Sequence, residues 1–382
     1  MNPGRSISPA SLIVMILLLG AAIVSPPRLQ GQDSSAVVST DQEHRPWFEG
    51  ITLNSFLSFR YTYNLNAPDS RKNQFRVFDV EDNTFIVDVL ELALEKPAVK
   101  RGDFGFCCHL TAGSSVPKVA RSSGMDMGDL DFHQMYVRYI VPWQHGITLD
   151  FGKFVTPCGL EIIEGYDGYN DNASRSFLFG YAIPFTHTGV RASYTFSERF
   201  TMTLMVVNGW DNAIDNNTSK TLGGQLALTP AAGWNLCANI VIGPEQSDND
   251  SNNRILADLV LSHRFAEGWS AGLNFDYGTE KNPTPMCDEA RWGGFAAYLR
   301  FDMAPQFSLS ARAEQFGDHQ GIRTGVAQTL KEATLTPEYR VSKNFVLRME
   351  LRMDWSDNDV FERGKTATNA QTTLEFNTVF VF

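Results

Sequence analysis

The stretch Phe345-Val-Leu-Arg-Met-Glu-Leu-Arg-Met-Asp-Trp355 decides the fold. Phe345, Leu347, Met349, Leu351, Met353 and Trp355 share one face, and Val346, Arg348, Glu350, Arg352 and Asp354 share the other. The period is two, as in a strand whose side chains alternate between faces, and not the 3.6 of a helix. Large apolar groups outside and charges inside suit a strand with lipid on one face and water on the other. The last segment repeats the code: Ala370, Thr372, Leu374, Phe376, Thr378, Phe380 and Phe382 fall in one phase.

Working outward, the same alternation recurs in Ile51–Tyr63, Val190–Phe196, Trp234–Ile242, Ile255–Leu261 and Trp269–Tyr277. Weaker strands are predicted around Phe85–Glu95, Phe104–Ala112, Phe132–Val141, Ile147–Phe154, Phe200–Val207, Thr221–Leu228, Phe295–Phe301, Phe307–Ala313 and Thr329–Val341. Together they make about sixteen strands, an even number of the kind bacterial single-chain barrels use. The connections alternate. Short ones fall near Lys96–Gly102, Pro142–Gly146, Ser197–Arg199, Thr229–Gly233, Ala266–Gly268, Asp302–Gln306 and Val341–Asn344. Long ones fall near Leu65–Asp82, Ser114–Asp129, Thr156–Pro184, Gly209–Ser219, Gly243–Asn252, Gly278–Glu289, Gly317–Gly325 and Ser356–Asn369. A soluble sandwich has no reason for that alternation. An all-β, antiparallel up-and-down transmembrane barrel does, with short periplasmic turns and long extracellular loops.

The leader agrees. Arg5 precedes the uncharged apolar run Leu12–Val24, which has the length of a signal-peptide core and is short for a bilayer span. Residues 1–31 are read as the signal, cut between Gly31 and Ala36, residues 32–46 as a polar periplasmic lead-in, and residues 47–382 as the barrel. No later run is long and apolar enough for a transmembrane helix. The net charge of −11 and the lack of a basic patch exclude a nucleic-acid partner. The five cysteines show no zinc-type spacing, so no metal or cofactor is expected. Cys158 and Cys287 fall in loop-like segments, where a disulfide and two free thiols are equally compatible with the sequence.

Gly152-Lys-Phe-Val-Thr-Pro-Cys-Gly-Leu-Glu161, Ser174-Arg-Ser176, Pro184-Phe-Thr-His-Thr-Gly-Val-Arg191, Val206-Val-Asn-Gly-Trp-Asp211 and Leu347–Trp355 resemble segments of the OmpL-like β-barrel porin family, over about Trp47 to Phe382. The resemblance implies an outer-membrane porin, a water-filled channel for small hydrophilic solutes or ions. It also implies a setting of outer-membrane lipid and lipopolysaccharide, and barrel-assembly machinery that reads the terminal Phe382. It is compatible with a homotrimer, for which the sequence offers no interface. Five cysteines are more than such a family leads one to expect.

In such a channel, lumen charges and a constriction do the work. The inward-phase candidates are Arg60, Arg191, Arg254, Asp258, Arg264, Arg312, Glu314, Arg348, Glu350 and Arg352. The longest loop carries Glu161, Glu164, Asp167, Asp171 and Arg175, and is expected to fold inward with its acids against this basic wall. Two blander readings stand beside it: an outward, solvated loop, and wall charges that only brace the barrel. His187 is placed inward as a hydrogen-bonding residue. The loops at Asp211, Asn212, Asp215 and Asn216, and at Asp248, Asn249, Asp250 and Asn252, lack the glycine and terminal Glu of an EF-hand and read as solvated. A plugged adhesin or structural barrel, and an outer-membrane hydrolase, are the competing functions. For the hydrolase, His263 on the outward face has no serine at suitable spacing.

Overall fold

The computed structural model describes residues 49–122 and 130–382. The signal, the lead-in and Trp47 lie outside the described residues. The chain forms β1 (Thr52–Asn64), β2 (Thr84–Lys96), β3 (Phe104–Ala112), a short helix α1 (Val116–Ser122), β4 (Leu130–Val141), β5 (Ile147–Val155), β6 (Thr186–Ser197), β7 (Phe200–Val207) and β8 (Thr221–Leu228). It continues with β9 (Trp234–Pro244), β10 (Asn253–Ala266), β11 (Trp269–Thr284), β12 (Cys287–Ala304), β13 (Phe307–Asp318), β14 (Gln328–Ser342), β15 (Phe345–Ser356), the small hairpin β16 (Phe361–Arg363) and β17 (Thr366–Thr368), and β18 (Ala370–Val381).

All but β16 and β17 belong to one closed antiparallel barrel of sixteen strands, each paired with its chain neighbours. The ring shuts where β1 meets β18, with Tyr61 opposite Phe376 on one side and Phe85 on the other. Closure leaves no row of unpaired N–H and C=O groups facing lipid.

The period-two code runs along the strands, save where bulges interrupt it on β2 and β4. On β15, Met349 is 60% exposed on the outer face while Arg348 and Arg352 are 0% exposed inside. Outward aromatics gather at the short-turn end. Phe104 stacks on Tyr139, Phe196 on Phe200, Trp234 on His263 and Trp269 on Phe301, and Phe307–Tyr339 and Phe345–Phe380 continue the belt. Flat amphipathic rings at that level suit the membrane–water interface.

One connection departs from expectation. The predicted loop Gly278–Glu289 is a protruding hairpin in which Glu280 pairs with Ala290 and Thr284 with Cys287, so only residues 285–286 turn. Beyond the bilayer a polar ladder can still pair in water. Gly278 also makes room: a Cβ there would meet the Trp292 ring at 2.1 Å. Cys287 therefore lies in a strand. All five cysteines are free, and Cys158 is buried inside the barrel, so the Cys158–Cys287 pairing does not form.

The lipid face makes a depth-dependent prediction. Leu351→Arg, in mid-strand, should cost about 2–4 kcal/mol, and Phe345→Arg, in the aromatic belt, no more than about 1 kcal/mol. Equilibrium urea unfolding in lipid vesicles measures both, and equal costs would contradict this placement.

Candidate functional site in the lumen

The longest loop, residues 156–185 between β5 and β6, folds into the barrel. Apart from a π-helical turn at Leu178–Ala182, it is irregular. Irregular backbone away from bulk water needs acceptors for its N–H groups, and the barrel wall supplies them. Asp258 on β10 accepts from Gly159 N (3.1 Å), and Asn274 on β11 from Leu160 N (2.8 Å). Glu91 on β2 accepts from Tyr166 N at 2.8 Å. Glu350 on β15 accepts from Ala173 N (2.7 Å) and Ser174 N (3.1 Å), and Glu314 on β13 from Phe177 N (2.5 Å) and Leu178 N (3.1 Å). At the loop's end, Asp211 accepts from Phe185 N (2.6 Å) and Thr186 N (2.8 Å).

The loop's acids meet wall arginines. Glu161 lies 2.5 Å from Arg312, which also holds Glu332 at 2.7 Å. Glu164 lies 3.0 Å from Arg348, whose guanidinium also donates to Asn170 O at 2.7 Å. Arg352 donates to Ser174 Oγ (3.1 Å) and to the Arg175 carbonyl, and pairs with Asp354 at 2.7 Å. Asp171 reaches Arg300 on β12 at 2.8 Å. Burial alone would raise the Glu164 carboxyl, but Arg175 and Arg348 outweigh it and hold it down at about 2.

Two loop candidates sit otherwise than expected. Asp167 is exposed at the loop's tip and has no arginine partner among the described residues. Arg175 turns back on its own loop. It donates to Ile162 O (3.1 Å) and Ala173 O (3.0 Å), and packs over the rings of Phe78 and Phe179.

The outer half of the lumen is apolar, where a polar face was expected. Phe154, Met205, Val207, Val241, Leu256, Trp292, Phe316 and Leu330 all point inward. They pack with Cys158, Phe177, Leu178, Phe179 and Ile183 of the inserted loop. Val77 and Phe78 from the first long loop, Trp210 and Phe361 join the cluster. The first loop is fixed by Arg76, which pairs with Asp354 at 2.7 Å and with Asp79.

The half nearer the short turns stays open. A cavity of about 540 Å³ is lined by Asn235, Ser262, Arg264, Ser270, Tyr298 and Arg300, with Leu160 and Asp171 of the inserted loop. Arg264 has no ion-pair partner there among the described residues, whereas Arg300 pairs with Asp171, Asp302 and Glu338. On the facing wall Arg138 and Arg191 share Asp150, at 2.6 and 2.7 Å.

Of the remaining candidates, Arg60 is buried between Asp88 and Glu375 near the closing seam. Arg254 pairs with Glu280 at 2.8 Å beneath Trp210 at the outer rim. His187 bridges Gly209 O (3.1 Å) and Thr156 Oγ1 (3.2 Å), as a hydrogen-bonding residue should. The two Asp/Asn-rich loops bind each other, with Asp250 accepting from Thr218 N (2.8 Å) and Ser219 N (2.9 Å). Sequence reasoning missed Arg138, Arg300 and the inward histidines of β3 and β4, which lie on strands whose alternation is weak.

The family model described as "Putative beta-barrel porin-2, OmpL-like" matches residues 50–382. No curated protein sequence matches the chain. Among solved structures it is similar to the outer membrane channel DcaP of Acinetobacter baumannii (TM-score 0.61, 10% identity, 87% of this chain and 97% of that one). It is equally similar to an anion-selective porin from Comamonas acidovorans (TM-score 0.61, 10% identity, 87% and 99%). OprB of Pseudomonas putida follows (TM-score 0.60, 10% identity, 87% and 94%). At such identity these likenesses establish the fold. With the family match spanning the whole barrel, the chain belongs to the OmpL-like β-barrel porin family, as a porin of the bacterial outer membrane.

Proposed function

We propose that this porin is gated by its inserted loop, and that its lumen charges divide into a latch and a vestibule. The observation that carries this is the burial of Arg312, Arg348, Arg352, Glu314 and Glu350, all at most 4% exposed against the loop. Side chains facing a permanently open aqueous pore do not lose their water. The latch set therefore positions the loop, together with Glu161 and Glu164. Arg191 and Arg264 are the groups that passing solutes meet, and Arg138 and Arg300 join them. Small hydrophilic solutes enter the vestibule freely and cross the apolar outer half when the first long loop and the inserted loop yield.

Nothing in this reading calls for an enzyme. His263, the outward histidine, is engaged by the Trp234 ring and by Gly233 O at 3.1 Å, as part of the interfacial belt. The exposed Phe382, beside Phe380 at the periplasmic edge of β18, is the group offered to assembly machinery. Lipid and lipopolysaccharide cover the apolar exterior. The signal and lead-in assignments to residues 1–31 and 32–46 belong to the same reading of an exported chain.

Planar-bilayer recording of refolded, heat-modifiable protein tests the latch. Arg312→Ala strands Glu161 and Glu332 in a buried site, a change worth about 3–5 kcal/mol when a buried pair loses one partner. Its open-state occupancy should rise well above that of wild type, while the barrel itself stays folded. Unchanged conductance in Arg312→Ala and Arg348→Ala would reduce the latch to a bracing role.

Vestibule charge has a separate readout. Arg264→Glu should move the reversal potential in a salt gradient toward cation selectivity without altering how often the channel opens. A reversal potential that ignores this substitution removes Arg264 from the solute path.

The latch also has a pH signature. The Glu164 carboxyl is held below its ordinary value, so its contribution is complete above about 4.5 and is lost as the pH falls through about 2. Opening should be flat from neutral pH to about 5 and rise toward pH 2, and Glu164→Gln should lack that rise.

A further inference from the structure

Three inward residues on adjacent strands converge under the tip of the inserted loop: Glu91 on β2, His109 on β3 and His133 on β4. All three are buried, at 0%, 1% and 4% exposure. One ligand atom from each lies within 4.8 Å of the other two. His109 Nδ1 is 3.2 Å from Glu91 Oε1, and His133 Nδ1 is 3.4 Å from the same oxygen. Zn²⁺ binds imidazole nitrogen and carboxylate oxygen at about 2.0–2.2 Å in a tetrahedron, whose edge is then about 3.3–3.6 Å. The His133 edge falls within that span and the His109 edge just under it.

The surroundings are those of a metal-bound histidine. The other nitrogen of His109, Nε2, lies 2.9 Å from Glu95 Oε1. The second oxygen of Glu95 takes the Tyr166 hydroxyl hydrogen bond. The second oxygen of Glu91 accepts from Tyr166 N at 2.8 Å. Ligating histidines characteristically donate their free N–H to a carboxylate, which fixes tautomer and ring orientation. With Nε2 donating to Glu95, Nδ1 faces a carboxylate oxygen 3.2 Å away, a contact that either a proton on Nδ1 or a metal cation between the two atoms makes attractive. Gln134 Nε2, 3.5 Å from the same Nδ1, is at the limit of a hydrogen bond and does not fill that role. His133 Nε2 is buried with no hydrogen-bond partner, so the ring can offer either nitrogen after a flip.

The backbone is shaped for this convergence. The β3–β4 register slips next to His109, which pairs with Gln134 while Leu110 pairs with Phe132. His133 is the extra residue of that bulge, and His133 and Gln134 both point inward. Bulges re-aim side chains in this way.

We infer that Glu91, His109 and His133 bind one divalent transition-metal ion of the zinc class, where the inserted loop meets the lumen wall. Three protein ligands leave one tetrahedral position open. Glu95 acts on the ion only through His109. Because Glu91 and Glu95 both hold Tyr166, the loaded site fixes the loop tip. The inference does not depend on how the latch of Arg312 and Arg348 opens.

The test uses untagged mature protein, refolded, heat-modifiable and stripped with chelator. Titration with Co²⁺ should give one equivalent with the intense visible absorption of a tetrahedral site, displaced by Zn²⁺. His133→Ala and Glu91→Gln should abolish it. Glu95→Gln should weaken binding about 10–100-fold. Cys107→Ser should leave it intact, although Cys107, His109 and Glu95 form a neighbouring cluster. The assignment fails if folded wild type takes up no Co²⁺. It also fails if uptake survives both His133→Ala and Glu91→Gln, or if Cys107→Ser alone removes it.

Discussion

Lipid offers no partner to a peptide group, and the remaining features of this molecule follow from that constraint. A sheet can cross a bilayer only if its first and last strands pair, and here β1 and β18 do so from Phe56 opposite Val381 to Asn64 opposite Thr373. Once the ring is closed, every strand has one face in lipid and one in the lumen. The sequence must therefore alternate in sixteen separate places. Where the ladder slips, the side-chain code slips too. The bulge opposite Ser58 and Phe59 leaves Asp88 as an extra residue on β2, and the one beside His109 sends two successive residues of β4 inward. Both irregularities lie in the wall that receives the tip of the inserted loop.

The bilayer dictates the outer face and leaves the inner face open. Water can satisfy inward charges, and so can protein. In this chain protein does much of it. Glu314, Glu350, Asp258 and Glu91 accept from the backbone of the inserted loop, so the wall serves as the hydrogen-bonding scaffold for a segment with almost no secondary structure of its own. Buried ion pairs such as Arg312–Glu161 contribute little net stability, because desolvation offsets much of their attraction. Their effect is positional, since each pair fixes one point of the loop against one strand.

The strand code and the loop alternation were legible in the sequence, because they are single-strand properties or follow from length, and Phe345–Trp355 alone displays the code. The inward fold of the longest loop was expected by likeness to porins, with an outward, solvated loop equally compatible with its residues. The Glu161, Glu164 and Asp171 contacts with wall arginines were legible as a charge complement, although Asp167 has no arginine partner among the described residues and Arg175 pairs with Glu164 of its own loop instead of with the wall. The filling of the outer lumen was not read, yet its signal is present. Leu256, Trp292, Phe316 and Leu330 stand in the inward phase of strands that otherwise place polar groups there. An apolar residue in that phase reports that something other than water covers it. The His109–His133 cluster was hidden for a different reason. Its members lie far apart in sequence, and a bulge in β4 breaks the period that would have assigned their face.

The two coverings of the lumen respond to water in opposite ways, and this decides what holds the loop in place. When water enters, the separated charges of Arg312, Arg348, Glu161 and Glu164 regain hydration, so the cost of parting them is much less than the bonds lost. The apolar cluster regains nothing. Each square ångström of Phe154, Phe179, Trp292 or Phe316 that is wetted costs about 25 cal/mol. On the gated reading, the ionic latch on β13–β15 therefore specifies where the loop sits, and the apolar packing against wall residues from β5 to β14 resists its leaving. A latch that hydrates readily, set beside a seal that does not, gives two well-separated states instead of a continuously variable bore.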